Sequence, residues 1–426
     1  MASKSDKNEN RQQKESVRES AKEISKAKAQ EPQKEMTFAT VLKSQIYKDR
    51  NVLYALEPPT GFLHRTAQKN DLIVELAPIL MGSAVNCLFV FGNPGTGKTG
   101  LTLDLMNQLK EEAKKQGVEL ISAYVNCSEN RTEPAILLAL MSQLDISREY
   151  PRMGWTKAKT IAEFSMLLNK IKNNVLIILD EIDYVLKESG DDILYRLSRI
   201  NNDVDSKVST ILISNDIRVA DYLKPRTQST IGRVKVIFSP YASDELADIL
   251  RERSRFAFKQ DTVADAVISK IAEIEAQRDG DARKALELLD SCAKIAIAKK
   301  RSKITLDLVD EADQMLERDH TLNTISTLTE HQKLTYLSIL QYEGTIISGT
   351  DVFKHYRELC ESYNIKPLSE RRCRTIVINL TELGLVDSEV GWLEDARKKA
   401  RKIIINLDDA LRNKAIKLIR DSLKEY

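Results

Sequence analysis

Apolar residues in the first part of the chain gather into short dense runs, separated by longer stretches with helical spacing. The runs cover residues 86–91, 120–125, 175–179, 210–213 and 234–238. Runs that stay apolar at successive positions suit strands buried on both faces, and such strands form parallel sheets flanked by helices. The pattern from Leu72 to about Phe238 therefore predicts an α/β unit with a helix-covered parallel sheet. After Pro240 the β-branched runs stop. Apolar positions at Ile268, Ile271 and Ala272, then at Ala285, Leu286, Leu288 and Leu289, predict a helical unit extending to about Leu316.

A polar stretch, residues 319–327, leads into a third unit. Helical patterns over residues 334–340, 351–362 and 370–383 end in Gly384-Leu385-Val386, followed by a strand-like run at 402–407. Helices followed by a hairpin predict a winged helix. At the other end, residues 1–36 are rich in Lys, Glu, Ser and Gln, with too little apolar surface to offset ordering entropy. The expected division is a disordered charged tail at 1–36, an α/β domain at 37–240, a helical lid at 241–320 and a winged-helix domain at 321–426.

Composition narrows the function classes. The 426 residues are 42% hydrophobic and 30% charged, with a formal net charge of +2, so any affinity for nucleic acid must come from local patches. Cys87, Cys127, Cys292, Cys360 and Cys373 form no CxxC pair and suggest neither a disulfide framework nor a zinc site. No apolar stretch approaches the roughly 20 residues of a membrane span. The N-terminus also lacks the apolar core of a signal peptide. The expectation is a cytoplasmic protein with no membrane partner.

The candidate chemistry begins at Gly92-Asn93-Pro94-Gly95-Thr96-Gly97-Lys98-Thr99, which fits GxxxxGK[ST], follows an apolar run and precedes a helical stretch starting near Gly100 and Leu101. Its glycines let backbone N–H groups face phosphate, Lys98 can reach the β and γ phosphates, and the Thr99 hydroxyl can ligate Mg²⁺. The run at 175–179 ends in Asp180-Glu181, at the strand end where parallel sheets bind ligands. Asp180 suits Mg²⁺ held through a water, and Glu181 suits activation of the water that attacks the γ-phosphate. The same two acids would also cap the following helix. Asn215, closing the run at 210–213, can position that water or simply form a turn. Arg283, in Gly280-Asp281-Ala282-Arg283, can reach a γ-phosphate from the second unit or lie on a solvated helix face.

Taken together and in this order, the P-loop, Asp180-Glu181, Asn215, Leu223-Lys224-Pro225-Arg226, the Gly-Asp-Ala-Arg helix and the C-terminal winged helix resemble AAA+ replication initiators of the archaeal origin-recognition type. The resemblance runs from about Leu53 to the C-terminus. It implies a slow ATPase that binds ATP, ADP and Mg²⁺, recognises double-stranded origin DNA, and works with other initiator subunits and the replicative helicase. It gives Asn215 the sensor 1 role, Arg283 the sensor 2 role and Arg226 the place of an arginine acting on a neighbouring subunit. It also lays Phe62-Leu63-His64-Arg65 over the adenine. The chain departs from the pattern at Lys224, where Asp is usual, and at Thr227, where Val is usual. Residues 150–155 stand where the family carries a DNA-touching insertion but share little beyond Pro151 and Gly154.

For DNA, Ser369 is placed to cap a recognition helix with Ile376, Ile378, Leu380 and Leu383 packing inward. Arg371, Arg372, Arg374 and Thr375 are then left at its N-terminal end, where base edges are read. Arg397, Lys398, Lys399, Arg401 and Lys402 would follow as a phosphate-binding ribbon. The same parts also suit an ATP-controlled transcriptional regulator. A clamp-loader-like ATPase would end in a helical collar instead.

Overall fold

The computed structural model describes residues 46–151, 154–231, 235–342, 344, 346–393, 398–405 and 407–424. Residues 1–36, Arg152, Val234 and Arg397, all used in the sequence reading, lie outside them, as do the side chains of Lys398 and Lys399.

Among the described residues, the helices α1 (Asn51–Tyr54) and α2 (Thr66–Leu76) precede the sheet. The apolar runs form β1 (Leu88–Gly92), β2 (Leu120–Asn126), β3 (Asn174–Asp180), β4 (Lys207–Ser214) and β5 (Lys235–Phe238), all parallel, in the order β2-β3-β4-β1-β5. Between them run α3 (Lys98–Lys115), α4 (Glu133–Leu144), α5 (Lys157–Ile171), α6 (Ile182–Glu188), α7 (Asp192–Arg199) and α8 (Pro225–Thr230). Alternation along β3 explains the continuous apolar run. Val175, Ile177 and Leu179 pack beneath α4 and α5 with Ile136 and Phe164, whereas Leu176 and Ile178 face Leu72 of α2 and Leu101 of α3. The strand order sets the C-terminal ends of β3, β4 and β1 side by side.

A second core gathers α9 (Ser243–Ala257), α10 (Asp265–Arg278), α11 (Ala282–Ala298) and the first half of α12 (Asp307–Thr327). Ile46 and Leu53, which precede the sheet in sequence, are buried in this helical core. The polar stretch at 319–327 is the second half of the 21-residue helix α12. Leu308, Val309 and Ala312 of α12 pack into the second core, and Ile325 packs into the third. Its polar residues face outward along a helix that joins two cores. Arg278 of α10 braces it through Asp313 and Glu317 at 2.7 and 2.6 Å.

The third core contains α13 (Glu330–Leu340), α14 (Gly349–Ser362), α15 (Glu370–Glu382) and α16 (Asp409–Lys424). A three-stranded sheet of order β6-β8-β7 completes it, from β6 (Ile346–Ser348), β7 (Asp387–Leu393) and β8 (Lys398–Ile404). Both of its pairings are antiparallel, giving a winged helix. Among the described residues no helix is long and apolar enough to cross a membrane.

Phe164 has no solvent exposure in the core beneath β3. Phe164→Ala should cost about 3–5 kcal/mol. Denaturant titration should show a lower midpoint with an unchanged slope, and a loss below about 1 kcal/mol would contradict this packing.

Candidate functional site

The strand order brings three loops to one edge: the P-loop after β1, Asn215 after β4, and Asp180-Glu181 at the end of β3. Within the P-loop, Lys98 is buried, and its Nζ donates to the carbonyls of Gly92 at 2.8 Å and Asn93 at 2.7 Å. Burial pushes its pKa down to about 8, against the opposing pull of Asp180. Thr96 Oγ1 bonds the Asn93 carbonyl at 2.8 Å, and Pro94 is exposed at the loop tip. Gly95 and Gly100 are among the glycines dictated by neighbours. A Cβ on Gly95 would lie 1.6 Å from Asp281 Oδ1, and one on Gly100 would lie 2.7 Å from the Phe62 ring.

Asp180 ties the P-loop helix to the sheet. Its Oδ2 accepts from Thr99 Oγ1 at 2.8 Å and from Tyr124 Oη at 2.9 Å, while Oδ1 accepts from the Glu181 N–H at 2.9 Å. Thr99 Oγ1 and Asp180 Oδ2 are hard oxygen donors on one spot, fitting Mg²⁺, which keeps waters and phosphate oxygens for its other positions. Among the described residues there is no group of three or more His, Cys, Asp or Glu suited to a metal.

Glu181 has left-handed backbone geometry, φ 54° and ψ 41°, at the N-cap position of α6. A non-glycine residue in that region costs about 1–3 kcal/mol and persists where the surroundings impose it. Its side chain makes no cap bond. Asp183 instead secures the neighbouring loop, accepting from Ser214 Oγ at 3.1 Å and the Asn215 N–H at 3.3 Å. The structure thus separates a carboxylate that braces from one that faces the cavity.

Lid helix α11 begins against the P-loop. Asp281 caps it, accepting from the N–H groups of Arg283 and Lys284, and the Ala282 N–H reaches the Gly95 carbonyl at 3.3 Å. Arg283 therefore sits at the cavity, and its charge is felt at Lys98. Lys98, Thr99, Asp180, Glu181, Asn215 and Arg283 all line one cavity of about 410 Å³. Its other end is apolar, with Leu53, Leu56, Phe62, Leu63, Ile249 and Leu286 among the lining residues. Two cations and loop amides at one end, and an apolar slot at the other, suit a polyphosphate carrying a flat base.

Several sequence-selected residues lie off this cavity. Phe62 and Leu63 line it, but a left-handed His64 (φ 57°) turns the chain away. His64 Nε2 meets Asp248 at 3.1 Å. Arg65 goes behind the P-loop, donating to the carbonyls of Thr96 and Ser239 and stacking 3.6 Å from the Tyr241 ring centroid. Arg226 pairs with Asp192 at 2.8 Å and lies over Tyr195, so it does not join its own chain's cavity. Lys224 pairs with the buried Asp191, and Thr227 is buried beside it. In the 150–155 stretch, Arg148 lies over both Tyr150 and Trp155.

In the winged helix, Ser369 takes the N-cap position of α15 without a side-chain cap bond. The buried face is Cys373, Val377 and Leu380, while Ile378 and Leu383 are exposed. Helical register, not apolar character, selects that face. Arg371, Arg372, Arg374 and Thr375 are exposed on the other, with Arg374 paired to Glu370 at 2.5 Å. On β8, Arg401 donates to Ser388 Oγ at 2.9 Å, and Lys402 is half-buried. Residues missed in the sequence include Glu252 and Arg253, which hold the apolar wall, and Tyr124 on Asp180. They sit in ordinary helical and strand patterns with no motif to mark them.

Three family models match the chain in order: an AAA domain over residues 83–223, a Cdc6 AAA+ ATPase-type lid domain over 247–314, and the CDC6 C-terminal winged helix domain over 323–415. An ORC1-type DNA replication protein of Thermococcus onnurineus is 35% identical over 352 residues, covering 81% of this chain and 85% of that protein. ORC1-type DNA replication protein 1 of Sulfolobus acidocaldarius is 36% identical over 357 residues, covering 83% and 88%. The solved Orc1 protein of Aeropyrum pernix in complex with DNA superimposes with a TM-score of 0.77 at 29% identity, covering 90% of this chain and 99% of that one.

The depressed Lys98 pKa gives a signed prediction. Above about pH 8 the free protein's Lys98 loses its proton, whereas bound phosphate favours the ammonium and raises the pKa. Binding of a nucleoside triphosphate should therefore take up protons, and affinity should fall as pH rises through that value, by at most about tenfold per unit. Calorimetry half a unit above it, in two buffers of different ionisation heat, should register the uptake. Proton release, or none, would contradict the buried-lysine geometry.

Proposed function

The chain belongs to the ORC1-type DNA replication proteins, and we propose that it is an origin-binding initiator switched by ATP binding and slow ATP hydrolysis. The observation that carries this reading is the convergence of Lys98, Thr99, Asp180, Glu181, Asn215 and Arg283 on one cavity between sheet and lid. Membership of the AAA+ ATPases supplies the general activity. In this reading Lys98 and the P-loop amides bind the phosphates, and the apolar end takes the adenine. Thr99 and Asp180 hold Mg²⁺, which when bound neutralises charge on the β and γ phosphates. Glu181 takes the proton of the attacking water, Asn215 orients that water, and Arg283 meets the γ-phosphate from the lid. Of the two arginines lining the cavity, Arg253 is held by the carbonyls of Val52 and Ala55, which leaves Arg283 alone for the γ-phosphate. A second, Arg226 from a neighbouring copy, would complete the site, so a lone chain hydrolyses slowly and behaves as a switch.

Origin DNA is the proposed partner of the winged helix, with Arg371, Arg372, Arg374 and Thr375 at base edges and Arg397 to Lys402 on phosphates. The Aeropyrum pernix relative is in complex with DNA, which supports DNA as the partner. Other initiator subunits and the replicative helicase are the further proposed partners, with helicase loading as the outcome. A winged helix follows the lid, where a clamp-loader-like ATPase would carry a helical collar, and this weighs against that alternative. A transcriptional regulator with the same parts would footprint promoters, so genome-wide DNA binding in the native cell tests the choice. Enrichment at promoters with none at replication origins would favour regulation.

Glu181→Gln keeps size and hydrogen bonding but cannot act as a base, so ATP should still bind while turnover falls roughly 10²-fold or more. Hydrolysis at the wild-type rate would return Glu181 to a structural role. On the DNA side, Arg371→Ala should lose about 1–3 kcal/mol on the specific site and narrow the gap to random duplex. Lys402→Ala should instead weaken all sequences alike and lower the salt slope by about one. Titrations against both duplexes at several salt concentrations separate these patterns, and wild-type binding by both variants would sink the assignment.

A further inference from the structure

The apolar wall of the cavity comes from a segment that precedes the sheet in sequence yet is fastened to the lid. Leu53, Tyr54, Leu56 and Pro58 line the cavity from this segment. Thr60 donates its N–H and hydroxyl to Glu252 Oε1 of α9, at 3.0 and 2.6 Å. The neighbouring Arg253 donates to the carbonyls of Val52 at 2.6 Å and Ala55 at 3.0 Å. The largest anchor is Asp290 on α11, fully out of solvent. Its Oδ1 accepts from Tyr47 Oη and Arg50 Nε, both at 2.8 Å, and its Oδ2 from Arg50 at 2.7 Å and Tyr54 Oη at 2.6 Å. Lys294 adds an ion pair at 2.7 Å. Burial alone would raise the pKa of this carboxyl, but its partners outweigh burial and hold it well below the usual range.

A buried carboxylate is retained only where donors compensate its desolvation. Here three of its donors belong to the one segment that forms the nucleoside wall, and Tyr54 both donates to Asp290 and lines the cavity. Asp290 lies two turns beyond Arg283 on α11, so one helix presents a phosphate-facing arginine and the anchor of the opposite wall.

We infer that Asp290 is a positioning residue for the nucleoside end of the site, clamping the 47–54 segment to the lid so that the base is held by a wall that belongs to the lid. This rests on the nucleotide reading above. Asp290 touches neither phosphate loop nor Glu181, so its loss acts on binding and leaves the chemical step intact.

The test pairs ATP affinity with the single-turnover hydrolysis rate at saturating ATP, on the full chain. Asp290→Asn keeps size but removes the charge facing Arg50 and Lys294. Arg50→Gln, at a half-exposed side chain, tests the same clamp if the first variant fails to fold. Both should raise the Kd for ATP about ten- to a hundredfold, the scale of a lost charge-assisted hydrogen bond, with the saturated rate within about twofold of wild type. Unchanged affinity, or a saturated rate that falls by the same factor as affinity, overturns the inference. Glu181→Gln should give the mirror pattern, with affinity kept and rate lost. Wild-type protein that binds no ATP would instead remove the nucleotide reading itself.

Discussion

The close approach of Gly95 to Asp281 is the constraint on which the site depends. The P-loop meets the head of α11 so tightly that no side chain fits at position 95, and a backbone bond from Ala282 closes the contact. That single junction decides where Arg283 can be. It also sets the cavity's width, because α11 carries the arginine at one point and the anchor of the nucleoside wall at another. Lid and sheet are two cores with separate packing, and the site exists only in the seam between them.

Within the sheet, a second constraint acts through order. β4 lies between β3 and β1, so Asn215, which follows β4, falls between the acids and the phosphate loop. Asp183 then fixes that residue's backbone from α6. The left-handed Glu181 stands at the neighbouring strand end, directly after β3. Its left-handed backbone turns the chain sharply from strand into helix and leaves the carboxylate outside the bracing network formed by Asp180 and Asp183.

Much of this was legible in the residues. The five runs, the P-loop and the two acids read clearly because continuous apolar strands and phosphate loops impose local patterns. The winged helix was readable from its helices and the hairpin, though β6, only three residues long, left no pattern. What escaped had non-local causes. The packing of Ile46 and Leu53 in the lid core, and the Asp290 clamp, join positions far apart in the chain, with no periodicity to connect them. His64 and Arg65 looked like parts of a continuous adenine cover, but one left-handed residue sends them elsewhere. The stretch at 319–327 was read only as a polar lead into the third unit, because its polarity was taken without its helical register. On α15 the same error ran in reverse, with Ile378 and Leu383 chosen by type although Cys373 and Val377 hold the inward positions.

That helical stretch has a mechanical consequence. With 21 residues, α12 is about 30 Å long, rooted in one core and ending in another. A stiff rod of that length works as a lever arm: a tilt of about 10° at its root carries its far end by about 5 Å. Arg278 grips the rod near its middle through Asp313 and Glu317, and Arg318 holds Asp408 beyond them. A rotation of that size in the lid helices would displace the winged helix by roughly the rise of one helical turn.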